Sequence, residues 1–113
     1  MSEECLFCKI VSGEIPAKKI MEDDDVVVFH DIAPQAPLHA LIVPRRHIRS
    51  LDELLESDDG LVGKMHRVAG QVVREAGQGD YRTVFNCGEA AGQSVWHLHL
   101  HVLAGRPMKW PPG

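Results

Sequence analysis

Three histidines at alternate positions, His97, His99 and His101, lie in the segment Trp96-His-Leu-His-Leu-His-Val-Leu103. Successive side chains of an extended strand point to opposite faces, so the three imidazoles share one face and Leu98, Leu100 and Val102 share the other. A rise of about 3.3 Å per residue sets neighbouring rings about 6.6 Å apart, a row that spans a phosphate and its flanks. Attack at a phosphoryl centre needs an uncharged nucleophile, donors to the oxygens and a proton for the departing group. An imidazole, with an unperturbed pKa of about 6.5, can fill each role. Clustering keeps such rings neutral, because a second cation nearby is unfavourable. Two other readings use the same residues. One is a solvated strand face, the ordinary fate of a single histidine; the other is a catalytic metal site, since His-x-His presents two ligands on one side. Three alternate histidines in a chain of seven, preceded by Gly92-Gln-Ser94, favour a site over a solvated face.

The elements that must position this row are short. Residues 6 to 12 suit one apolar helical turn closed by Gly13, and Ala17 to Met21 a first strand after Pro16. The acidic run Glu22 to Asp25 suits a solvated hairpin turn, and Val26 to Phe29 a β-branched second strand. Pro34 and Pro37 deny backbone donors and mark a connection, after which Leu38 to Val43 reads as a third strand ended by Pro44. Between Ser57 and Gly77, the residues Leu61, Met65, Val68, Val72 and Ala76 recur at helical spacing, with Ser57 and Asp58 as caps. Gly63 and Gly70 inside this helix each cost about 1 kcal/mol relative to alanine, which points to close packing against the sheet or a partner subunit. Tyr81 to Cys87, with Cys87 buried, and Trp96 to Leu103 are the last strands, separated by the loop Gly88 to Ser94. The pattern predicts one α+β domain over residues 1–113: a five-stranded, mainly antiparallel sheet with one long and one short helix.

With 113 residues and 44% hydrophobic side chains, the chain supports a single core and a single site. A net charge of −4 offers no positive field for a nucleic-acid backbone, so any nucleotide here is a small molecule in a pocket. The amino terminus lacks a basic, then apolar, leader, and no apolar run approaches the roughly 20 residues that span a bilayer. Three cysteines, an odd number that includes Cys5-Leu-Phe-Cys8, do not resemble a secreted disulfide framework; a reducing, cytoplasmic setting is expected. The Cys5-x-x-Cys8 pair is either half of a tetrahedral metal site or two free thiols.

Elsewhere each candidate has two readings. Asp31 can accept hydrogen bonds from both hydroxyls of a ribose, or close an Asx turn into the proline segment. Ser94 is a catalytic hydroxyl or a turn cap. Leu6, Phe7, Ile15, Phe29 and Ile32 are, by type alone, ordinary core residues. The glycine-rich loop leaves amide donors open to an anion. His30 and His66 carry no assigned role.

The pattern His97-Leu-His-Leu-His-Val-Leu103 resembles the signature of the histidine-triad superfamily, and the match is close to the Hint branch, the purine nucleoside phosphoramidases. Nearly the whole chain takes part, including Glu14-Ile-Pro-Ala-Lys18, Phe29-His-Asp-Ile32, Pro34-Gln-Ala-Pro37, Gly92-Gln-Ser-Val95 and Trp110-Pro-Pro-Gly113. The resemblance implies the fold of that superfamily and a hydrolase in which His99 forms a nucleotidyl-histidine intermediate. It implies that His101 and His39 contact the α-phosphate, His97 orients the nucleophile and Ser94 assists the leaving group. Leu6, Phe7, Ile15, Phe29 and Ile32 then enclose the purine, Asp31 holds the ribose, and Asn86, Gly92, Gln93, Ser94 and Val95 contact sugar and phosphate. Bacterial relatives with such a cysteine pair hold structural zinc, which maps onto Cys5, Cys8, His47 and His97; catalysis needs no cofactor. The tail 104–113, with Trp110, is similar to a segment that reaches the partner's active site in a homodimer. The rivals within this resemblance are a dinucleoside-polyphosphate hydrolase and a nucleotide-binding regulator without significant catalysis. Gln93-Ser94 and the Trp110 ending look more like the Hint branch.

Overall fold

A computed structural model describes residues 5–113. The strands β1 (Lys19–Glu22), β2 (Val26–His30), β3 (Leu38–Pro44), β4 (Tyr81–Val84) and β5 (Leu100–Ala104) form one sheet in the order β1-β2-β3-β5-β4, every neighbouring pair antiparallel. Two helices flank it, α1 (Leu6–Val11) and α2 (Asp59–Glu75).

Both faces of the central strands are covered, which is why β2 reads as an unbroken Val-Val-Val-Phe and not as an alternation of apolar and polar residues. Val26, Val28, Leu38, Ala40, Ile42, Leu100 and Val102 face α2 and pack on its Met65, Val68, Ala69, Val72 and Val73. Burying each such aliphatic side chain is worth about 1.5–3 kcal/mol. On the opposite face Val27, Phe29, Leu41 and Val43 pack with Phe7 and Ile10 of α1. At only six residues, α1 is too short to be stable alone and depends on what docks it.

The acidic run forms the β1–β2 turn. Asp23 Oδ1 accepts from the amides of Asp25 and Val26 at 2.8 and 2.9 Å, and Lys64 bridges Asp23 and Asp25 at 2.9 and 2.6 Å. The Lys64 ammonium, with those two amides, holds the Asp23 carboxyl down at about 2.

Several expectations need correction. The last strand begins at Leu100, not Trp96, because only β5 from Leu100 onward is laddered to β3 and β4. Likewise β4 ends at Val84, so Cys87 lies half-buried in the following loop and not in a strand. Asp58 does hold the N-cap position of α2, but its side chain makes no cap bond: the buried carboxylate accepts from the Leu55 amide at 2.9 Å and pairs with Arg46. Of the glycines Gly60, Gly63 and Gly70 in α2, only Gly70 is packed closely, since a Cβ there would sit 2.9 Å from Tyr81 Oη. Gly63 is exposed with nothing within 4 Å of such an atom.

Candidate active site

Backbone carbonyls fix the protons of two of the three signature histidines. His99 Nδ1 lies 2.7 Å from the His97 carbonyl oxygen. A carbonyl can only accept, so Nδ1 carries the proton and Nε2 of the neutral ring keeps its lone pair. The His97 ring is anchored the opposite way round: its Nε2 donates to the Pro44 carbonyl at 2.8 Å, leaving Nδ1 as the free base.

A third chain of bonds orders His101. The Gln35 amide donates to His39 Nδ1 at 3.0 Å, so His39 holds its proton on Nε2 and donates it to His101 Nδ1 at 2.9 Å. His101 therefore keeps its own proton on Nε2. The same chain argues against a metal held by Asp31, His39 and His101, whose donor atoms do converge within 4.8 Å. Ligation through His39 Nε2 would require a proton on Nδ1, opposite the Gln35 N–H.

Burial keeps these rings uncharged. It is the first cause that lowers His99, opposed by its bond to the His97 carbonyl and by the Asp31 charge. Burial, and then the neighbouring His99 and His39, bring His101 down to about 4. His39 is lowered by burial against the pull of Asp31.

His99 and His101 open onto a cleft of about 470 Å³. Its apolar wall holds Leu6, Phe7, Ile15, Phe29 and Ile32, with Ile32 fully exposed at the mouth. Asp31, Asn86, Gly92, Ser94 and Val95 supply the polar side. Asp31 makes the Asx turn of its second reading with one carboxylate oxygen and turns the other toward His39. Oδ1 closes an Asx turn with the Ala33 amide at 2.8 Å, while Oδ2 lies 3.5 Å from His39 Nε2. The ring of Phe7 stands edge-on to His99, centroids 5.0 Å apart.

Behind the cleft, the other side of the His97 ring meets two thiols. Cys5 Sγ and Cys8 Sγ lie 3.3 and 3.4 Å from His97 Nδ1, and His47 Nδ1 lies 3.2 Å from it and 3.3 Å from Cys8 Sγ. Zinc bonds of about 2.0–2.3 Å in a tetrahedron give donor-to-donor edges of about 3.3–3.8 Å, so the Cys2His2 donor set and its spacing fit that ion. Partial burial and the bond with Cys5 raise the Cys8 thiol to about 11, which makes a half-buried neutral thiol the alternative to a metal-bound thiolate.

Comparison with known proteins agrees with this architecture. A family model described as "Scavenger mRNA decapping enzyme C-term binding" matches residues 4–110. An uncharacterized HIT-like protein of Synechocystis is 44% identical over 100% of both chains. This chain belongs to the histidine-triad (HIT) superfamily. Among solved HIT structures, a HIT family hydrolase of Legionella pneumophila superposes with a TM-score of 0.94 at 45% identity, covering 97% of this chain and 100% of that one. A Zn-bound histidine triad family protein of Mycobacterium smegmatis gives 0.82 at 32% identity, over 94% of this chain and 78% of that one.

Some HIT residues sit elsewhere than the sequence suggested. His39 is buried behind His101, outside the lining of the cleft, and meets it through His101 and Asp31. The His97 side chain points away from the nucleophile; only its carbonyl orients His99. Gln93 is turned inward and consumed by backbone, accepting from Gly88 and donating to Arg49 and Val95, so it braces the loop without lining the cleft. Trp110 is exposed beside β4, against Arg82 to Phe85 and away from the cleft of its own chain. The sequence reading missed Ile10, Pro16, Ala17, Lys18, His30 and Leu41 in the lining. Ile10 follows Phe7 by three positions on α1 and was within reach of helical spacing, whereas Leu41 faces the site only because β3 pairs it with His101.

Proposed function

We propose that this chain is a purine nucleotide-binding hydrolase of the Hint type, cleaving nucleoside 5′-phosphoramidates and related adenylates to the nucleoside monophosphate through a nucleotidyl-His99 intermediate. The observation that carries this reading is the 2.7 Å bond from His99 Nδ1–H to the His97 carbonyl, which leaves a neutral Nε2 base at the cleft. The purine lies against Leu6, Phe7, Ile15, Phe29 and Ile32, and the ribose hydroxyls on Asp31. The α-phosphate meets the amides of the Gly92 to Val95 loop and the Nε2–H of His101. His99 Nε2 forms a bond to phosphorus as the phosphorus–nitrogen bond breaks, and the departing amine keeps the electron pair and takes a proton from water, relayed by the Ser94 hydroxyl beside it. The nucleotidyl imidazolium is held by the His97 carbonyl. Water then releases the monophosphate and returns His99 to its neutral form. Two molecules of chain, each lending Trp110 to the other, make up the working unit, and a cytoplasmic setting suits three cysteines that form no disulfide framework.

The charge of the cleft favours this chemistry over dinucleoside polyphosphates. Lys18 is the single lysine or arginine among the lining residues, too little to hold a leaving group that carries several phosphates. The distinguishing experiment compares kcat/KM for adenosine 5′-phosphoramidate and diadenosine polyphosphates; a preference of about tenfold or more for the former is expected, equivalent to about 1.4 kcal/mol. A preference for the polyphosphate would reverse the reading.

Structural zinc on Cys5, Cys8, His47 and His97 forms part of the same proposal, supported by the donor geometry and by the zinc-bound relative.

The acid limb of activity follows from burial. His99 attacks only when neutral, and its pKa is lowered, so kcat/KM falls with decreasing pH through a value below the usual 6.5 or so of free imidazole. A pH profile with its acid limb at or above that value would contradict this.

A further inference from the structure

The thiol cluster and the cleft share two structural parts. Helix α1 has Cys5 at its N-cap and Cys8 in its first turn, both turned to the cluster, while Leu6, Phe7 and Ile10 of the same turn and a half face the cleft. His97 is the second shared part: its ring enters the cluster through Nδ1, and its carbonyl, on the same residue, holds His99 Nδ1–H. Phe7 closes the loop between them, its ring edge-on to His97 with centroids 6.2 Å apart and to His99 at 5.0 Å. The helix that links them is too short to hold its own position and buries only Phe7 and Ile10.

We infer that Cys5, Cys8 and His97 are positioning residues for the nucleotide site, so that metal bound at the cluster and nucleotide bound in the cleft strengthen each other's binding. With zinc bound, Cys5 and Cys8 would tie the N-terminus of α1 to the segment that carries His97. That fixes the base wall and the carbonyl facing the nucleophile together. A nucleotide pressed on Leu6 and Phe7 holds the same helix from its other side. Linkage is reciprocal, so each ligand must tighten the other by the same factor. This inference rests on the nucleotide reading of the cleft and on zinc at the cluster.

The test uses the zinc-loaded protein. Zinc transfer to a chromophoric chelator is timed with and without saturating AMP, and AMP affinity of loaded and stripped protein is measured by calorimetry. Zinc release slows by about fivefold or more in AMP, and AMP binds more weakly to stripped protein by the factor that AMP changes the zinc equilibrium. In stripped protein that remains folded, nitrogen NMR of the His99 ring shows its fixed Nδ1–H form giving way to a mixture of tautomers, a change that mere loss of stability would not cause. The release measurement needs no stripped protein, so unfolding on zinc removal does not spare the inference. Zinc release that is indifferent to AMP, in a protein that binds AMP, overturns the linkage alone. Absence of AMP binding, or of zinc, overturns the reading of that site and the linkage with it.

Discussion

Replacing His99 with alanine lowers kcat by about 10⁴-fold or more while nucleotide affinity changes by less than about tenfold. No neighbouring group can take over as nucleophile. His101 keeps its proton on Nε2, because Nδ1 accepts from His39, and that ring serves as a donor. His97 has its free nitrogen in the thiol cluster, on the far side from the cleft. The hydroxyl of Ser94 has no free imidazole base bonded to it among the described residues. Affinity survives because the base wall and Asp31 come from α1, β2 and the segments after them, none of which depends on the His99 ring for its backbone. Steady-state product release and AMP calorimetry on the same protein check both halves. Residual turnover within about tenfold of the unaltered protein would mean that His99 is a binding group and not the attacking one.

Removing the metal lowers the thermal midpoint by roughly 10 °C or more, the consequence of losing about 3–4 kcal/mol of ligand-linked stability. The four donors come from three separate segments: the start of α1, the turn after β3, and the stretch that leads into β5. Joining them constrains chain that the sheet leaves unpaired. A Cys8→Ala protein should melt within a few degrees of chelator-stripped unaltered protein and should not respond to added zinc. Full zinc occupancy with an unmoved midpoint after stripping would show that the cluster carries no folding energy.

The histidine alternation was legible although only His101 of the three lies in the ladder. His97, Leu98 and His99 precede β5, yet Leu98 still packs into the α2 core while its two neighbours face the other way. The sheet order was not legible. It depends on β5 entering between β3 and β4, a pairing that sets Leu41 opposite His101, and no local pattern specifies it. Tautomers were hidden for a related reason. The deciding atoms are the carbonyls of His97 and Pro44 and the amide of Gln35, groups that every residue type, or nearly every one, possesses. Gln93 misled because its neighbours Gly92 and Ser94 do line the cleft, and nothing in a glycine-rich string tells which side chain turns inward to brace it. The Cys5-x-x-Cys8 spacing already showed half of the candidate metal site, whereas its histidines were legible only through resemblance, since Cys5 and His97 stand 92 positions apart.

A rapid-quench single turnover with excess protein over adenosine 5′-phosphoramidate tests the neutral His99 nucleophile most directly. A nucleotidyl group should appear on the peptide containing His99 before AMP is released, reach a near-stoichiometric fraction of bound substrate when the second step limits, and decay as AMP forms. AMP accumulating with no adduct at any time, or an adduct carried by a different residue, would contradict the account.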